Sequence, residues 1–206
     1  MRQNAVATAL ASDSPRPARM PAITVYCSSS DFLDPAFHAE ARAVGEGIAR
    51  RSWALVYGGG SVGLMGETAR AAKAGGARVI GVITYKLVDM EQGWSECDEL
   101  VVVDTMRQRK QILEERGDAF LALPGGLGTY EELFEILVGR YLGDHAKPIG
   151  IVNARGYFNP LVAMVEHGIE HRFIPERCRE LFVIEPAVEA VLASLACSLE
   201  SGAGSV

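Results

Sequence analysis

The run Leu123-Pro124-Gly125-Gly126-Leu127-Gly128-Thr129-Tyr130-Glu131-Glu132 joins a short apolar stretch to a glycine turn and an acid-bearing helix start. Ala119 to Leu123 has strand length, and Pro124, which lacks a backbone donor, ends the ladder there. Gly125, Gly126 and Gly128 carry no Cβ, so the backbone is free to take positive φ and an oxyanion can approach the amide N–H groups. A helix beginning near Thr129 adds unpaired N–H groups and partial positive charge at the same spot. The same letters also spell a capping box, with Thr129 as cap and Glu132 reaching back to the cap N–H. Spacing alone leaves both readings open: a phosphate cradle with a carboxylate beside it, or a well-capped helix.

Three further segments bear on that choice. Thr105-Met106-Arg107-Gln108-Arg109-Lys110 opens with a second capping box, Thr105 and Gln108, and then places three cations in or just past the first helical turn. The macrodipole disfavours each cation there by a few tenths to about 1 kcal/mol; an anionic ligand that neutralises them gives the arrangement a reason, and a solvated charged face is the plain alternative. Gly58-Gly59-Gly60-Ser61-Val62-Gly63 matches GxGxxG, but the next strand ends Val82-Ile83-Thr84, without the acid that would hold a dinucleotide ribose, and no GK[ST] follows to make a P-loop. Cys27-Ser28-Ser29-Ser30 offers small hydroxyl donors. His167 and His171, four apart and flanked by Glu166 and Glu170, lack HExxH order and read as a surface pair, so no metal site is expected.

These segments need a scaffold that brings loops to one edge. From Ile23 onward short β-rich runs alternate with amphipathic stretches, the pattern of a parallel sheet covered on both faces. Strands are expected at Ile23 to Cys27, Ala54 to Tyr57, Arg78 to Ile83, Glu99 to Val103, Ala119 to Leu123, Ile149 to Val152 and Phe182 to Ile184. Helices are expected at Pro35 to Arg51, Val62 to Ala74, Met106 to Arg116, Tyr130 to Leu142, Tyr157 to His167 and Pro186 to Leu199. The fold class is therefore α/β: a three-layer Rossmann-like fold with a central, mostly parallel sheet of about seven strands flanked by helices. Function is to be sought in the loops that begin at Ser28, Gly58, Asp104 and Pro124, on the carboxyl edge of the sheet.

The chain has 206 residues, 49% of them hydrophobic, which suits one well-buried domain at 21–199, between an extension at 1–20 expected to be disordered and a loose tail at 200–206. A net charge of −6 argues against binding nucleic acid through bulk electrostatics, so any anion site is local. No apolar run approaches the roughly 20 residues that span a bilayer. Cys27, Cys97, Cys178 and Cys197 lack CxxC or zinc spacing and read as reduced thiols of a cytoplasmic protein.

On these residues the chain resembles the LONELY GUY family of cytokinin riboside 5′-monophosphate phosphoribohydrolases, older members of which were labelled possible lysine decarboxylases. The family's PGGxGTxxE signature stands at Pro124 to Glu132, its arginine motif at Met106-Arg107-Gln108-Arg109-Lys110, its YGGGxxGLMG run at Tyr57 to Gly66 and its Cys-Ser-Ser start at Cys27 to Ser29. Arg107 departs from the family's usual histidine. The resemblance implies a catalytic pair, Arg109 and Glu132, and substrate binding by Ser28, Gly59, Gly60, Met106, Lys110, Gly125, Gly126, Gly128 and Thr129. It implies hydrolysis of the N-glycosidic bond of N6-modified AMP, and of AMP itself, to free base and ribose 5-phosphate, with neither metal nor cofactor, in a homodimer. The alternative is a non-catalytic nucleotide or molybdenum-cofactor carrier built on the same cradle. A pyridoxal decarboxylase needs a Schiff-base lysine, and Lys73, Lys86, Lys110 and Lys147 lack a recognisable pyridoxal context.

Overall fold

Successive strand residues face opposite sides of a sheet, and here both sets are apolar, so the sheet must be covered on both faces. The computed structural model of the protein describes residues 20–91 and 93–203. Its strands are β1 (Ala22–Tyr26), β2 (Ala54–Tyr57), β3 (Val79–Thr84), β4 (Glu99–Val103), β5 (Ala119–Ala122), β6 (Ile149–Val152) and β7 (Val183–Glu185). Its helices are α1 (Pro35–Arg50), α2 (Gly63–Ala74), α3 (Tyr85–Glu91), α4 (Met106–Arg116), α5 (Leu127–Leu142), α6 (Asn159–Glu170) and α7 (Val188–Ala203).

The seven strands make one sheet in the order β4-β3-β2-β1-β5-β6-β7, and every neighbouring pair is parallel. Ile23, Val25, Leu55 and Leu121 pack on one face with Val44 and Ile48 of α1, Leu64 of α2 and Leu192 of α7. Tyr26, Val56, Val82 and Phe120 pack on the other with Leu113 of α4, Leu133 and Ile136 of α5 and Leu161 of α6. Sequence order runs outward from the centre in both directions, so the reversal falls between β1 and β5, where open α/β sheets leave a crevice at their carboxyl edge.

The expected α/β architecture is present, and β2, β4, β6 and α4 have the expected bounds. Two differences matter for the site. Helix α3 was not anticipated, and α5 begins at Leu127, three residues before the expected Tyr130. Helix α7 runs to Ala203, so residues 200–203 of the expected tail are helical, while residues 1–19 of the expected extension and 204–206 lie outside the described residues.

His145 gives the fold a pH dependence. Its Nε2 lies 2.9 Å from the Ile136 carbonyl and its Nδ1 accepts from the Lys147 N–H at 3.2 Å, a pairing suited to the neutral ring protonated on Nε2. Burial pushes its pKa below the ordinary 6.5. A depressed folded-state pKa means that the contribution is full above the unfolded value and is lost as pH falls through 6.5 toward the folded value. Thermal melts of the wild type are expected to drop between pH 7.5 and 5.5, and His145→Gln to flatten that slope; equal slopes would remove His145 as the cause.

Candidate active site

The crevice between β1 and β5 is assembled from loops that the backbone ties together. Ser28 N–H donates to the Pro124 carbonyl at 3.2 Å, linking the loop after β1 to the loop after β5. The Met65 N–H reaches the Ser28 carbonyl at 3.3 Å, and Asp31 Oδ1 accepts from Gly63 N–H at 2.7 Å, placing a carboxylate at the start of α2. The result is a cleft of about 490 Å³, with walls from the serine loop, Met65 of α2, Leu87 of α3, Met106 and Arg109 of α4, and the first turns of α5.

A buried ion pair forms its wall. Arg109, only 5% exposed, lies at the fourth position of α4 and sends Nη1 to Glu132 Oε1 at 2.9 Å. Two further donors are anchored at the sheet and its edge, Nε on the Val82 carbonyl of β3 at 2.9 Å and Nη2 on the carbonyl of Gly58, just after β2, at 3.3 Å. Gly58 has a steric reason to be glycine, because a Cβ there would lie 2.2 Å from that guanidinium nitrogen. Thr105 and Gln108 form the expected capping box, which starts α4 at the place that brings Arg109 inward.

Of the two readings that the spacing of Thr129 and Glu132 leaves open, the capping box does not form. Gly126 is the cap of α5, no side chain bonds it, and Glu132 is drawn to Arg109 instead, because a guanidinium is a stronger partner for a carboxylate than a neutral amide. Two of the three α4 cations, Arg109 and Lys110, have carboxylate partners within the protein. Lys110 pairs with Glu131 at 2.9 Å and Glu135 at 3.2 Å, and hydrogen bonding to Glu131 raises its pKa. Arg107 stands exposed.

The three signature glycines divide by role. A Cβ at Gly125 would sit 2.0 Å from Thr129 Oγ1, so the fold itself excludes one. At Gly126 and Gly128 a Cβ would meet nothing within 4 Å, and neither uses the positive φ open to glycine. The fold can accept a methyl at both, because the space beside them is open.

Of the other residues singled out in the sequence, Ser28, Met106 and Thr129 line the cleft with Arg109, Gly126, Gly128 and Glu132. Gly59, Gly60, Gly125 and Lys110 do not. Gly59 and Gly60 are buried behind it, Gly59 at φ 79° against Ile83 and Gly60 bridged to Gly93, so both serve the packing of the turn after β2. Met65, Leu87 and Leu127 line the cleft without having been singled out, Leu87 because α3 was not foreseen. Tyr26, buried at the end of β1, has its phenol pKa held well above the usual value by burial and by the charge of Glu132. His167 and His171 meet edge to face at the end of α6, and no cluster of three or more metal-ligating side chains exists among the described residues.

A seven-stranded parallel sheet whose order reverses at a glycine-lined helix start, with a buried carboxylate held beside it, defines a Rossmann-like α/β protein. The family model described as possible lysine decarboxylase matches residues 65–195. The cytokinin riboside 5′-monophosphate phosphoribohydrolase of Mycobacterium tuberculosis is 42% identical over 180 residues, 85% of this chain and 94% of that protein. One from Arabidopsis thaliana is 39% identical over 173 residues, 84% of this chain and 80% of its own. The chain belongs to this family, the one that contains the cytokinin riboside 5′-monophosphate phosphoribohydrolases. Its fold is also that of the molybdenum cofactor binding protein from Rippkaea orientalis, with a TM-score of 0.66 at 23% identity over 89% of this chain and 99% of that one.

Proposed function

We propose that this chain is a phosphoribohydrolase that cleaves the N-glycosidic bond of a nucleoside 5′-monophosphate, with N6-modified AMP preferred and AMP also accepted, to give free base and ribose 5-phosphate. The observation that carries the reading is the Arg109–Glu132 pair set in the same cleft as the open glycine amides of α5, in a chain whose match to the Mycobacterium tuberculosis enzyme spans 94% of that protein. The phosphate binds at Gly126, Gly128 and Thr129, and that non-reacting end holds the ribose in register with the carboxylate. Bond breaking gives the sugar oxocarbenium character, which Glu132 offsets or which water activated by Glu132 captures. Arg109 orients Glu132. The reaction calls for neither metal nor cofactor, and lysine is absent from the cleft lining among the described residues, which counts against a pyridoxal decarboxylase. The carrier reading shares the fold but gives the buried carboxylate no task.

By the same resemblance the protein is a cytoplasmic homodimer, and Phe134, Val138, Tyr141 and Phe173 form an exposed apolar surface suited to a second copy. No described helix is long and apolar enough to cross a membrane.

The deciding experiment is chromatography of AMP, prenyl-AMP and their ribosides after incubation with the protein. Two or three charge-assisted hydrogen bonds at about 1.5–3 kcal/mol each put the loss of kcat/KM on removing the phosphate at roughly a hundredfold or more. Ribosides cleaved as fast as monophosphates would sink the cradle, and no base from either would favour the carrier. Gly128→Ala separates fold from cradle: alanine at a helical position adds up to about 0.5–1 kcal/mol of stability, so the melting temperature is expected to hold or rise while KM for AMP increases. A lowered melting temperature with KM unchanged would assign Gly128 to folding alone.

A further inference from the structure

The turn after β6 touches the glycine loop from outside the cleft. Tyr157 donates its hydroxyl to the Gly125 carbonyl at 2.6 Å. In a trans peptide the C=O and N–H project in opposite directions from one plane, so a carbonyl fixed toward Tyr157 fixes the following N–H, that of Gly126, away from it. Gly126 lines the cleft, whereas Gly125 and Tyr157 do not. Among the described residues no protein acceptor takes the Gly126 N–H. Resting on the reading of this cleft as a 5′-phosphate site, we propose that Tyr157 is a positioning residue, which aims the Gly125–Gly126 peptide so that its N–H meets the phosphate.

The turn that carries Tyr157 is built to hold it still. Arg155 (φ 54°, ψ 24°) and Gly156 (φ 73°) are consecutive left-handed residues, and a non-glycine residue persists there only where its surroundings over-determine the backbone. Asn153 Oδ1 accepts from Phe158 N–H at 2.8 Å, Asn153 Nδ2 donates to Asn159 Oδ1 at 2.8 Å, and Arg155 pairs with Asp34 at 3.3 Å. The ring is packed independently of its hydroxyl, stacked on Tyr130 and set edge-on to Phe37 and Phe158. Burial above all raises the phenol pKa to about 12, so the group is protonated and able to donate at neutral pH. A hydrogen bond to the carbonyl also polarises the amide, which strengthens the N–H as a donor to an anion.

Tyr157→Phe removes the hydroxyl and keeps the ring contacts. Calorimetric binding of AMP and of adenosine to the wild type and the variant tests the assignment. The wild type is expected to prefer AMP; the variant loses about tenfold in AMP affinity, the worth of one hydrogen bond, and binds adenosine as before. With prenyl-AMP as substrate, the loss sits in KM rather than in kcat. Unchanged AMP affinity in the variant, or an equal loss for AMP and adenosine, overturns the positioning role while the phosphate reading stands. A wild type that does not prefer AMP over adenosine overturns both.

Discussion

Glu132→Gln is expected to lower turnover of prenyl-AMP by about 10²–10⁴-fold, the range for loss of a positioned acid–base group, while AMP still binds. The amide matches the carboxylate in shape, and its oxygen can still accept from Arg109 Nη1, which now spans 2.9 Å to Glu132 Oε1. What disappears is the negative charge, the property an oxocarbenium-like centre responds to and that activation of water requires. In the proposed cradle the phosphate binds the amides at the start of α5, one turn earlier, so AMP affinity measured by calorimetry should change little. Turnover within a few-fold of wild type would reduce Glu132 to a structural partner of Arg109. Loss of binding together with turnover would mean that the variant is misfolded or that the carboxylate contacts the ligand in the ground state.

How much of this was legible beforehand depended on whether the signal was local. Helix α4 has its expected bounds because Thr105 and Gln108 fix its start and Gly117 follows its end, all within one stretch of chain. β2, β4 and β6 were equally plain, since short apolar runs between turn residues determine them. Helix α3 was not, because it follows Thr84 of β3 directly, with no intervening loop to signal a boundary. The start of α5 went wrong for a tertiary reason: Thr129 and Glu132 have capping spacing, but a guanidinium 23 positions earlier in the chain takes the carboxylate. A sequence pattern weighs only neighbours, and the stronger partner was distant. Tyr157 was hidden for the same reason, since its acceptor is 32 positions away and nothing nearby marks the contact.

Replacing Arg109 is expected to damage both stability and catalysis, and a paired variant can separate the two effects. The guanidinium satisfies three acceptors in three segments: the Val82 carbonyl of β3, the Gly58 carbonyl of the loop after β2 and Glu132 of α5. Lysine, a point charge on a flexible stem, cannot span them, so Arg109→Lys should not rescue. Arg109→Ala takes the guanidinium from a buried carboxylate, and breaking a buried pair by removing one partner costs about 3–5 kcal/mol. For a domain near this size that lowers the melting temperature by on the order of 10 °C, with turnover falling at least as far as in Glu132→Gln. Replacing both members of a buried pair with apolar residues of similar volume is commonly neutral or stabilising. The double variant Arg109→Met with Glu132→Leu should therefore recover most of the lost melting temperature and none of the turnover. Recovery of both would show that the pair only holds α4 against α5; recovery of neither would mean that the two freed carbonyls, not the carboxylate, dominate the cost.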